Sequence, residues 1–454
     1  MAQAALELGE LIGLVDSGEI DTVLVVFPDL QGRFMGKRVT GEFFLGEVAS
    51  GGVEACNYLL AVDVDMTPLP GYKYANWDLG YGDFKAVPDL STLRRTPWLP
   101  KTALVVCDLE EHDGSAVEVS PRRILQRQVE RAKAMGYDVM CGSELEFFLF
   151  RDTFEEARGK RYFGLTPHSD WIEDYHILQT SRDEYLIRQI RNDMLGAGIP
   201  VEFSKGEAGF GQHEINIRYG DALAMADRHT IYKNGVKEIA AAAGRSVTFM
   251  AKYSMADVGS SCHIHSSLWR DGRSVMAANS NSHELSSTFE SYLAGQLAAA
   301  RELSWCFAPY VNSYKRYQPD SWAPTAVAWG RDNRTCGFRV VGHGQAMRVE
   351  SRVPGADANP YIAFAATIAA GLWGIEQGLE LPPAFEGNGY AATDVERIPS
   401  TLVEALGLFE ASEVAHNAFG ADVHDHLINT ARQEWAVFNS AVTDWELMRG
   451  FERL

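Results

Sequence analysis

The spacing of apolar residues predicts both helices and strands along the chain. Leucine and isoleucine recur every three or four positions in residues 4–17, which is the period of an amphipathic helix. A β-branched run at 22–28, a turn and a second run at 33–39 predict two neighbouring strands. Further helical patterns occupy residues 121–135, 183–195, 221–243, 285–306, 360–378, 400–411 and 422–438. Strands alternate irregularly with these helices and no repeat is present, which predicts an α+β fold rather than a doubly wound sheet.

Residues 60–100 differ from the rest of the chain. They are rich in proline, glycine, aspartate and aromatic residues, which predicts irregular chain held in place by aromatic packing. A strand is predicted at 102–108, and Ser120 followed by Pro121 is a typical helix start. We therefore predict two domains, 1–110 and 111–454.

Composition and charge narrow the classes of protein. The 454 residues are 46% hydrophobic and 22% charged, which is ordinary for a globular protein with a large core. The formal net charge of -20 disfavours nucleic acids and anionic membranes as partners. Six scattered cysteines without a C-x-x-C pair indicate reduced thiols in a cytoplasmic protein. We find no pattern of a targeting or transmembrane segment.

Two acids interrupt an apolar strand pattern at residues 142–150. Successive side chains of a strand alternate faces at about 3.3 Å per residue, so Glu144 and Glu146 share a face, roughly 7 Å apart. Leu145, Phe147 and Leu149 take the other face. Two buried carboxylates are costly unless a cation neutralises them. The pair is therefore either bridged by arginines or part of a divalent metal site.

Five other segments carry side chains of matching chemistry. Residues 206–218 place Glu207 and Glu214 around a glycine-rich bend, and 259–267 place His263 and His265 on one strand face. Residues 348–352 align Glu350 with two arginines, which alone is also typical of an ion-pair ladder. Two loops add further basic residues: Arg316, Arg334 and Arg339.

Taken together, these residues favour a site for metal and phosphate over isolated ion pairs. Five glutamates and one histidine are enough ligands for two or more hard cations, and the arginines can neutralise phosphate and a substrate carboxylate. Metal, phosphate and carboxylate together indicate ATP-driven activation of a carboxylate. The chain has neither a G-x-x-x-x-G-K-[ST] loop nor a dinucleotide-binding G-x-G-x-x-G motif. Metals and arginines would therefore hold the nucleotide.

The sequence resembles the glutamine synthetase family. The matching motifs are GSELEFFLF, GQHEI, G-S-x-x-H-x-H-x-S, NSYKR, NR-x4-R and RVESR followed by ANPY, in family order across about residues 120–380. The resemblance implies an N-terminal β-grasp domain and a catalytic domain built on an antiparallel sheet flanked by helices. It also implies a homo-oligomer, a dodecamer of two stacked hexamers, in which neighbouring subunits share each active site.

The resemblance also implies residue roles. It implies two ligand sets for Mg²⁺ or Mn²⁺: Glu146, Glu207 and Glu214 for one ion, and Glu144, His263 and Glu350 for another. It implies ATP contacts from Glu202, His265, Ser267 and Arg339. It implies binding of glutamate or the transferring phosphate by Gly259, Arg316, Arg334 and Arg352. Arg334 and Glu350 are expected to act in catalysis.

The sequence departs from the family where ammonium would bind. Ammonia-using members carry P-G-Y-E-A-P after the NSYKR segment, whereas residues 319–324 are PDSWAP, with Trp322 at the glutamate position. Residues 51–63 show no counterpart of the Asp-Gly-Ser-Ser segment whose aspartate helps to deprotonate ammonium. Val258 and Gln345 replace the family's usual asparagine and lysine. The residues expected to bind ATP and metal are kept, while those expected to bind ammonium are lost.

This asymmetry predicts a ligase that joins the γ-carboxylate of glutamate to an organic amine, such as a polyamine or a small monoamine. An amine with its own binding surface does not need a capturing carboxylate, and an aromatic wall suits an alkyl or cationic amine. Trp322 would line the amine entrance, although it is also typical of a packing residue on a loop. The alternatives are an ordinary ammonia-dependent glutamine synthetase and a catalytically silent relative.

Overall fold

A computed structural model describes residues 6–454, and its N-terminal part is built on a six-stranded sheet. The strands are β1 (Thr22–Pro28), β2 (Phe34–Thr40), β3 (Val53–Cys56), β4 (Asp83–Pro88), β5 (Arg94–Arg95) and β6 (Thr102–Glu110). Their order is β2-β1-β6-β4-β3, with β5 paired to β6. The β1–β2 turn is closed by Asp29, whose carboxylate accepts the backbone N–H of Gln31 and Arg33 at 3.0 and 2.8 Å. The predicted hairpin is thus present.

A ten-stranded sheet follows. Its strands are β7 (Asp138–Phe150), β8 (Val201–Gly206), β9 (Gln212–Ile217), β10 (Gly220–Asp221), β11 (Ser246–Thr248), β12 (Cys262–Arg270), β13 (Arg273–Ser274), β14 (Trp329–Arg331), β15 (Phe338–Val341) and β16 (Arg348–Ser351). The main path is β14-β15-β16-β12-β7-β9-β8. All neighbours on it are antiparallel except β14 and β15. This sheet carries most of the residues for which the sequence predicts chemistry.

Helices surround both sheets. They are α1 (Leu8–Asp16), α2 (Gly41–Phe43), α3 (Ala49–Gly51), α4 (Pro121–Ala134), α5 (Phe154–Gly159), α6 (Ile177–Thr180), α7 (Glu184–Gly196), α8 (Ala222–Ala242), α9 (Ser287–Ala298), α10 (Pro360–Gln377), α11 (Leu402–Glu410), α12 (Glu413–Phe419), α13 (Ala421–Ser440) and α14 (Asp444–Gly450). No helix in the described part of the chain is both long and apolar enough to cross a membrane.

Helix α10 is the centre of the helical layer and packs against α4, α8 and α9. It is apolar on all sides, as a buried helix must be. Asn359 caps its start, since its side-chain oxygen accepts the Tyr361 N–H at 3.0 Å. The amide of Asn359 also donates to the carbonyls of Asp29 and Leu30, both at 3.1 Å. One residue thus joins the central helix to the first hairpin.

The α+β class and most predicted elements agree with the structure, but two predictions were wrong. Residues 60–100 are not irregular throughout, because β4 lies there and pairs with β3 and β6. Tertiary pairing formed this strand despite its flanking turn residues. The helix predicted at 285–306 ends at Ala298, and a turn and a short 3-10 helix follow. The division at residue 110 and the β-grasp topology stay predictions.

Close packing of α9 on α10 predicts a strong effect of a single methyl group. A Cβ on Gly295 would lie 2.2 Å from the Ala370 carbonyl and 2.7 Å from the Gly374 Cα, so G295A forces the helices apart. We expect a loss of about 1–3 kcal/mol in the free energy of unfolding. Gly407 in α11 has open space around it, so G407A is the control and should stabilise by up to ~1 kcal/mol. Urea unfolding followed by circular dichroism measures both, and equal midpoints would contradict the packing argument.

Candidate active site

The central strand β7 presents its acids as the alternation predicts. Leu145, Phe147 and Leu149 are each at most 1% exposed and belong to the hydrophobic core. Glu144 and Glu146 therefore point to the opposite face of the sheet, where the polar side chains of neighbouring strands lie. The apolar half of the strand fixes its orientation, and the two carboxylates follow from it.

Strand register brings residues from six strands into rows on this face. The rows are Lys205–Glu214–Glu146, Asn216–Glu144–His263 and His265–Glu350–Arg339, each made of directly paired positions. Directly opposed side chains in a sheet have Cβ atoms about 5 Å apart. The rows therefore form a compact polar surface from side chains that are far apart in the sequence.

The first group on this surface is the three-glutamate cluster of Glu146, Glu207 and Glu214. One carboxylate oxygen of each lies within 4.8 Å of the others. Burial, and then the charge of Glu207, raise the pKa of Glu146 to about 8. Burial and the charges of Glu144, Glu207 and Glu146 raise the pKa of Glu214 well above its usual value. Like charges are thus crowded together in a site that is almost closed to water.

The three-glutamate cluster fits a hard divalent cation. Within the described residues, its direct cationic partner is Lys205, which bonds to Glu207 and leaves Glu146 and Glu214 without one. Glu146 instead accepts from the Ser261 N–H at 2.8 Å and the Gln212 amide at 3.1 Å. Three converging carboxylates at these separations match oxygen ligation of Mg²⁺ or Mn²⁺. A bound dication would remove the repulsion that raises the carboxyl pKa values.

The second group is the Glu144–histidine cluster of Glu144, His263, His265 and Glu350. His263 Nδ1 lies 3.1 Å from Glu144 and 3.6 Å from Glu350, while its buried Nε2 has no hydrogen-bond partner among residues 6–454. Burial and the charge of Arg352 lower the pKa of His263 to about 4, so the ring is neutral at pH 7. A neutral imidazole between two carboxylates is a suitable metal ligand.

The histidine two residues later has a different role in this geometry. Arg348 Nε donates to His265 Nδ1 at 3.1 Å, so the His265 proton is on Nε2, which donates to Glu144 at 2.9 Å. Oxygen and nitrogen atoms of Glu144, His265 and Glu350 lie within 4.8 Å of one another. Arg348 holds the lone pair of His265 Nδ1, so His265 keeps its proton on Nε2. His263 can instead carry its proton on Nε2 and present the lone pair of Nδ1 to a metal.

Arginines surround Glu350. Arg339 Nη1 donates to one carboxylate oxygen at 2.8 Å and Arg352 Nη1 donates to the other at 2.5 Å. Burial alone would raise the pKa of Glu350, but His263, His265 and Arg352 outweigh it and lower that pKa to about 2. Glu350 is therefore ionised and held by two guanidinium groups. A cation at this position would share the carboxylate with them.

The structure also places the other predicted residues. Arg316 is 1% exposed and donates to the Ser261 hydroxyl at 2.7 Å, and Gly259 allows this approach because a Cβ there would meet Arg316 Cγ at 2.7 Å. Ser267 is buried on β12 and accepts from the Trp269 indole at 2.9 Å.

Three predicted residues lie outside this hydrogen-bonded surface. Glu202 is exposed at the irregular start of β8, and Arg334 is exposed in the loop between β14 and β15. Trp322 is 59% exposed with a left-handed backbone at φ 61°, and its carbonyl lies 3.5 Å from Arg352 Nη2. The loop of Trp322 therefore borders the arginines, while Glu202 and Arg334 do not contact the clusters in this conformation.

Sequence reasoning missed three residues of the site. Lys205 bonds to Glu207, Gln212 bonds to both Glu146 and the Gly259 carbonyl, and Ser261 holds Glu146 through its backbone. Gln212 lies inside the GQHEI motif, so its position beside the ligand glutamates was a usable signal. The contact of Ser261 is made by its main chain and has no signal in side-chain chemistry.

Comparison with known proteins decides the family. The family model for the glutamine synthetase catalytic domain matches residues 118–450. The chain belongs to the glutamine synthetase family. The predicted family and α+β fold class are confirmed, and the matched segment includes every predicted site residue.

Members of the glutamine synthetase family with full-length similarity include two amine ligases. A γ-glutamylethanolamide synthetase of Streptomyces coelicolor is 54% identical, covering 98% of this chain and 96% of its own. A glutamate–isopropylamine ligase of Pseudomonas sp. is 38% identical, with 96% of each chain covered. A solved ADP complex of GmaS has a TM-score of 0.85 at 28% identity, with both chains fully covered.

A glutamine synthetase of Thermus thermophilus is 35% identical but covers 81% of this chain and 83% of its own. The amine ligases thus match more of the chain than this glutamine synthetase does, and at higher identity. The predicted class of enzyme, a glutamate–amine ligase within the glutamine synthetase family, is confirmed.

Proposed function

We propose that this protein joins the γ-carboxylate of glutamate to an organic amine at the expense of ATP. The observation that carries the proposal is a surface of converging carboxylates and arginines bordered by the loop of exposed Trp322, whose carbonyl lies beside Arg352. The S. coelicolor and Pseudomonas relatives act on ethanolamine and isopropylamine by name, which supports a small monoamine. Polyamines are the second class of substrate to test.

Divalent cations would occupy the two acidic clusters. We assign one Mg²⁺ or Mn²⁺ to Glu146, Glu207 and Glu214, and another to Glu144, His263 and Glu350. When bound, the ions would supply positive charge for the phosphates of ATP and for the transferring phosphoryl group. His265 holds Glu144 by a hydrogen bond, and Arg348 holds His265 in turn. These bonds orient the side chains before their ligands bind.

The arginines account for the anionic substrates. Arg339 lies beside Glu350 on β15 and would contact ATP with Glu202, His265 and Ser267. Arg316, Arg334 and Arg352, together with the backbone of Gly259, would bind glutamate and the transferring phosphate. Guanidinium groups bind carboxylate and phosphate oxygens in pairs, which orients as well as neutralises them. Glu202 and Arg334 would reach their ligands only after movement of β8 and of the β14–β15 loop.

The reaction would proceed in two steps. An oxygen of the γ-carboxylate attacks the γ-phosphorus of ATP, the bond to the β-phosphate oxygen breaks, and ADP and γ-glutamyl phosphate form. The amine nitrogen then attacks the acyl carbon, the bond to the phosphate oxygen breaks, and phosphate leaves as the amide forms. A proton is lost from the nitrogen during the second step. The arginines stabilise charge in both steps, and Glu350 keeps Arg339 and Arg352 in place.

An amine screen tests the proposal. Phosphate release is measured with ATP, glutamate and either ammonium, ethanolamine, isopropylamine or a polyamine, and the amide is identified by mass spectrometry. We expect at least one organic amine to exceed ammonium by about 100-fold in kcat/KM, which is the scale on which a shaped apolar pocket discriminates. Equal or better turnover with ammonium would identify an ordinary glutamine synthetase, and no glutamate-dependent turnover would favour a silent relative.

Variants of Trp322 test the amine entrance in the same assay. Trp322→Glu restores the family's usual charge, so kcat/KM for the preferred amine should fall at least about 10-fold while that for ammonium rises. Trp322→Phe keeps an aromatic wall and is the matched control, with an expected change below about 3-fold. An unchanged amine preference in Trp322→Glu would show that this side chain does not line the entrance.

The assembly and location complete the proposal. We propose a cytoplasmic homo-oligomer, a dodecamer of two stacked hexamers in which neighbouring subunits share each site. The exposed apolar side chains of Trp171, Ile172, Ile177 and Leu178 form a surface suited to burial between subunits. We also propose the domain division 1–110 and 111–454. Native mass spectrometry at several protein concentrations measures the number of subunits.

A further inference from the structure

A second group of ionisable side chains lies behind the active site. His213 precedes Glu214 on β9 and therefore points to the opposite face of the sheet. There it meets the carboxylates of Glu173 and Asp183, and one ligand atom of each of the three lies within 4.8 Å of the others. Glu173, Asp183 and His213 are 0%, 3% and 1% exposed. No step of the proposed reaction uses them.

Hydrogen bonds satisfy one carboxylate of this group but not the other. Asp183 Oδ2 lies 3.2 Å from His213 Nε2, and Asp183 Oδ1 lies 2.9 Å from Nε2 of buried His168. Glu173 has one oxygen 3.4 Å from His213 Nε2, yet neither oxygen accepts a hydrogen bond of good geometry within the described residues. The nearby Ser169 hydroxyl bonds to the backbone of Trp171 instead. A fully buried carboxylate without donors is costly unless it is protonated or binds a cation. His213 Nε2 faces both carboxylates, and a single imidazole N–H cannot satisfy the two of them.

Two glycines make room for this arrangement. A Cβ on Gly206 would lie 2.5 Å from the Glu173 Cβ, and a Cβ on Gly211 would lie 2.9 Å from the His168 backbone nitrogen. The segment that carries Glu173 and Asp183 also forms an isolated β-bridge to the β8–β9 hairpin, between Asp174 and Gly206. Glycine at these positions lets the segment approach the hairpin closely. The ligand atoms are thus held in place by main-chain packing, as a preformed site requires.

We propose that Glu173, Asp183 and His213 form a buried site for a divalent transition metal ion, with Zn²⁺ as the fitting ion. His168 positions Asp183 by its bond to the second carboxylate oxygen, which is the usual arrangement around a metal ligand. One imidazole with two carboxylates favours zinc over Mg²⁺, which prefers oxygen ligands and retains water. The ion would link the segment that carries Glu173 and Asp183 to the face of β9 opposite Glu214.

Zinc binding by the whole protein tests this site. Wild-type crystals soaked with Zn²⁺ should show an anomalous difference peak between Glu173, Asp183 and His213 in data collected at the zinc edge. In solution, with Mg²⁺ in excess, E173Q should bind Zn²⁺ at least about 10-fold more weakly than the wild type. D170N is the matched control, since Asp170 is an exposed acid nearby that pairs with Arg151. Its zinc affinity should equal that of the wild type.

A further variant separates this site from the active site. E214Q removes a ligand of the three-glutamate cluster, so it should lose a zinc ion bound there and keep the ion at Glu173. An anomalous peak confined to the three-glutamate cluster, or no peak, overturns the proposal. Equal zinc affinity of E173Q and D170N also overturns it. The diffraction experiment uses the wild type alone and therefore stands even if E173Q folds poorly.

Discussion

Replacing Glu214 by glutamine should lower glutamate-dependent phosphate release roughly 1,000-fold. Glu214 is 3% exposed and lies directly opposite Glu146, in the middle of the row that ends at Lys205. Glutamine has nearly the same shape but removes one negative charge from the set that would hold a divalent cation. Losing one preorganised charge at a site of phosphoryl transfer costs about this factor. Steady-state kinetics with saturating Mg²⁺ or Mn²⁺ measure it.

The same substitution should stabilise the metal-free protein. Glu214 has a raised pKa, so its folded carboxyl keeps a proton that the unfolded chain has released at pH above 4.5. Stability is therefore lost as pH rises above the ordinary carboxyl range. In chelator at pH 8 we expect E214Q to be more stable to unfolding than the wild type, with a smaller gain at pH 5. Protomer concentration is kept constant because assembly contributes to stability.

E155Q is the control for both measurements, since Glu155 is exposed in the first turn of α5. It should change neither turnover nor stability, because isolated surface charges contribute little. Activity of E214Q close to that of E155Q would show that the cluster does not hold a catalytic ion. Lower stability of metal-free E214Q at pH 8 would show that a cationic side chain such as Lys205 already stabilises the Glu214 carboxylate.

The site was predictable from the sequence where it depends on strand alternation. Leu145 and Phe147 fix the inner face of β7, so Glu144 and Glu146 had to share the outer face. What alternation cannot predict is register between strands. The pairing of Glu146 with Glu214, and of Glu350 with His265, depends on how β7, β9, β12 and β16 align, which is determined by the whole core.

The limits of sequence reasoning are clearest in the segment of residues 151–183. It has little periodicity because, apart from the short helices α5 and α6, its conformation comes from isolated bridges and glycine contacts. Glu173 and Asp183 are ten residues apart with no motif around them. Their approach to His213 is a tertiary effect, so no local pattern indicates it. The strand β4 was missed for a similar reason, since pairing with β3 and β6 outweighs its neighbouring turn residues.

A buried arginine joins the N-terminal sheet to the helical layer, and its replacement should have a large effect on stability. Arg122 follows the proline that starts α4 and is 1% exposed. It donates to both oxygens of Asp227 on α8, at 3.1 and 3.0 Å, and to Asp89 at 2.7 Å, and it bonds to Asp108 at the end of β6. Tyr361 on α10 donates to the same Asp227 at 2.7 Å. The sequence predicted the helix start but not this network.

Replacing Arg122 by methionine should lower the free energy of unfolding by about 3–5 kcal/mol, because it leaves Asp227 buried without its cation. Arg123 is the next residue and pairs with Glu118 and Glu130 at the surface, so R123M should cost less than about 1 kcal/mol. Urea unfolding at constant protomer concentration measures both variants. If the cost arises from the unpaired charge of Asp227, D227N should restore part of the stability in the R122M background. The same substitution should destabilise the wild type. Equal costs for R122M and R123M would mean that the carboxylates find other partners, and that the two sheets are held together by apolar packing alone.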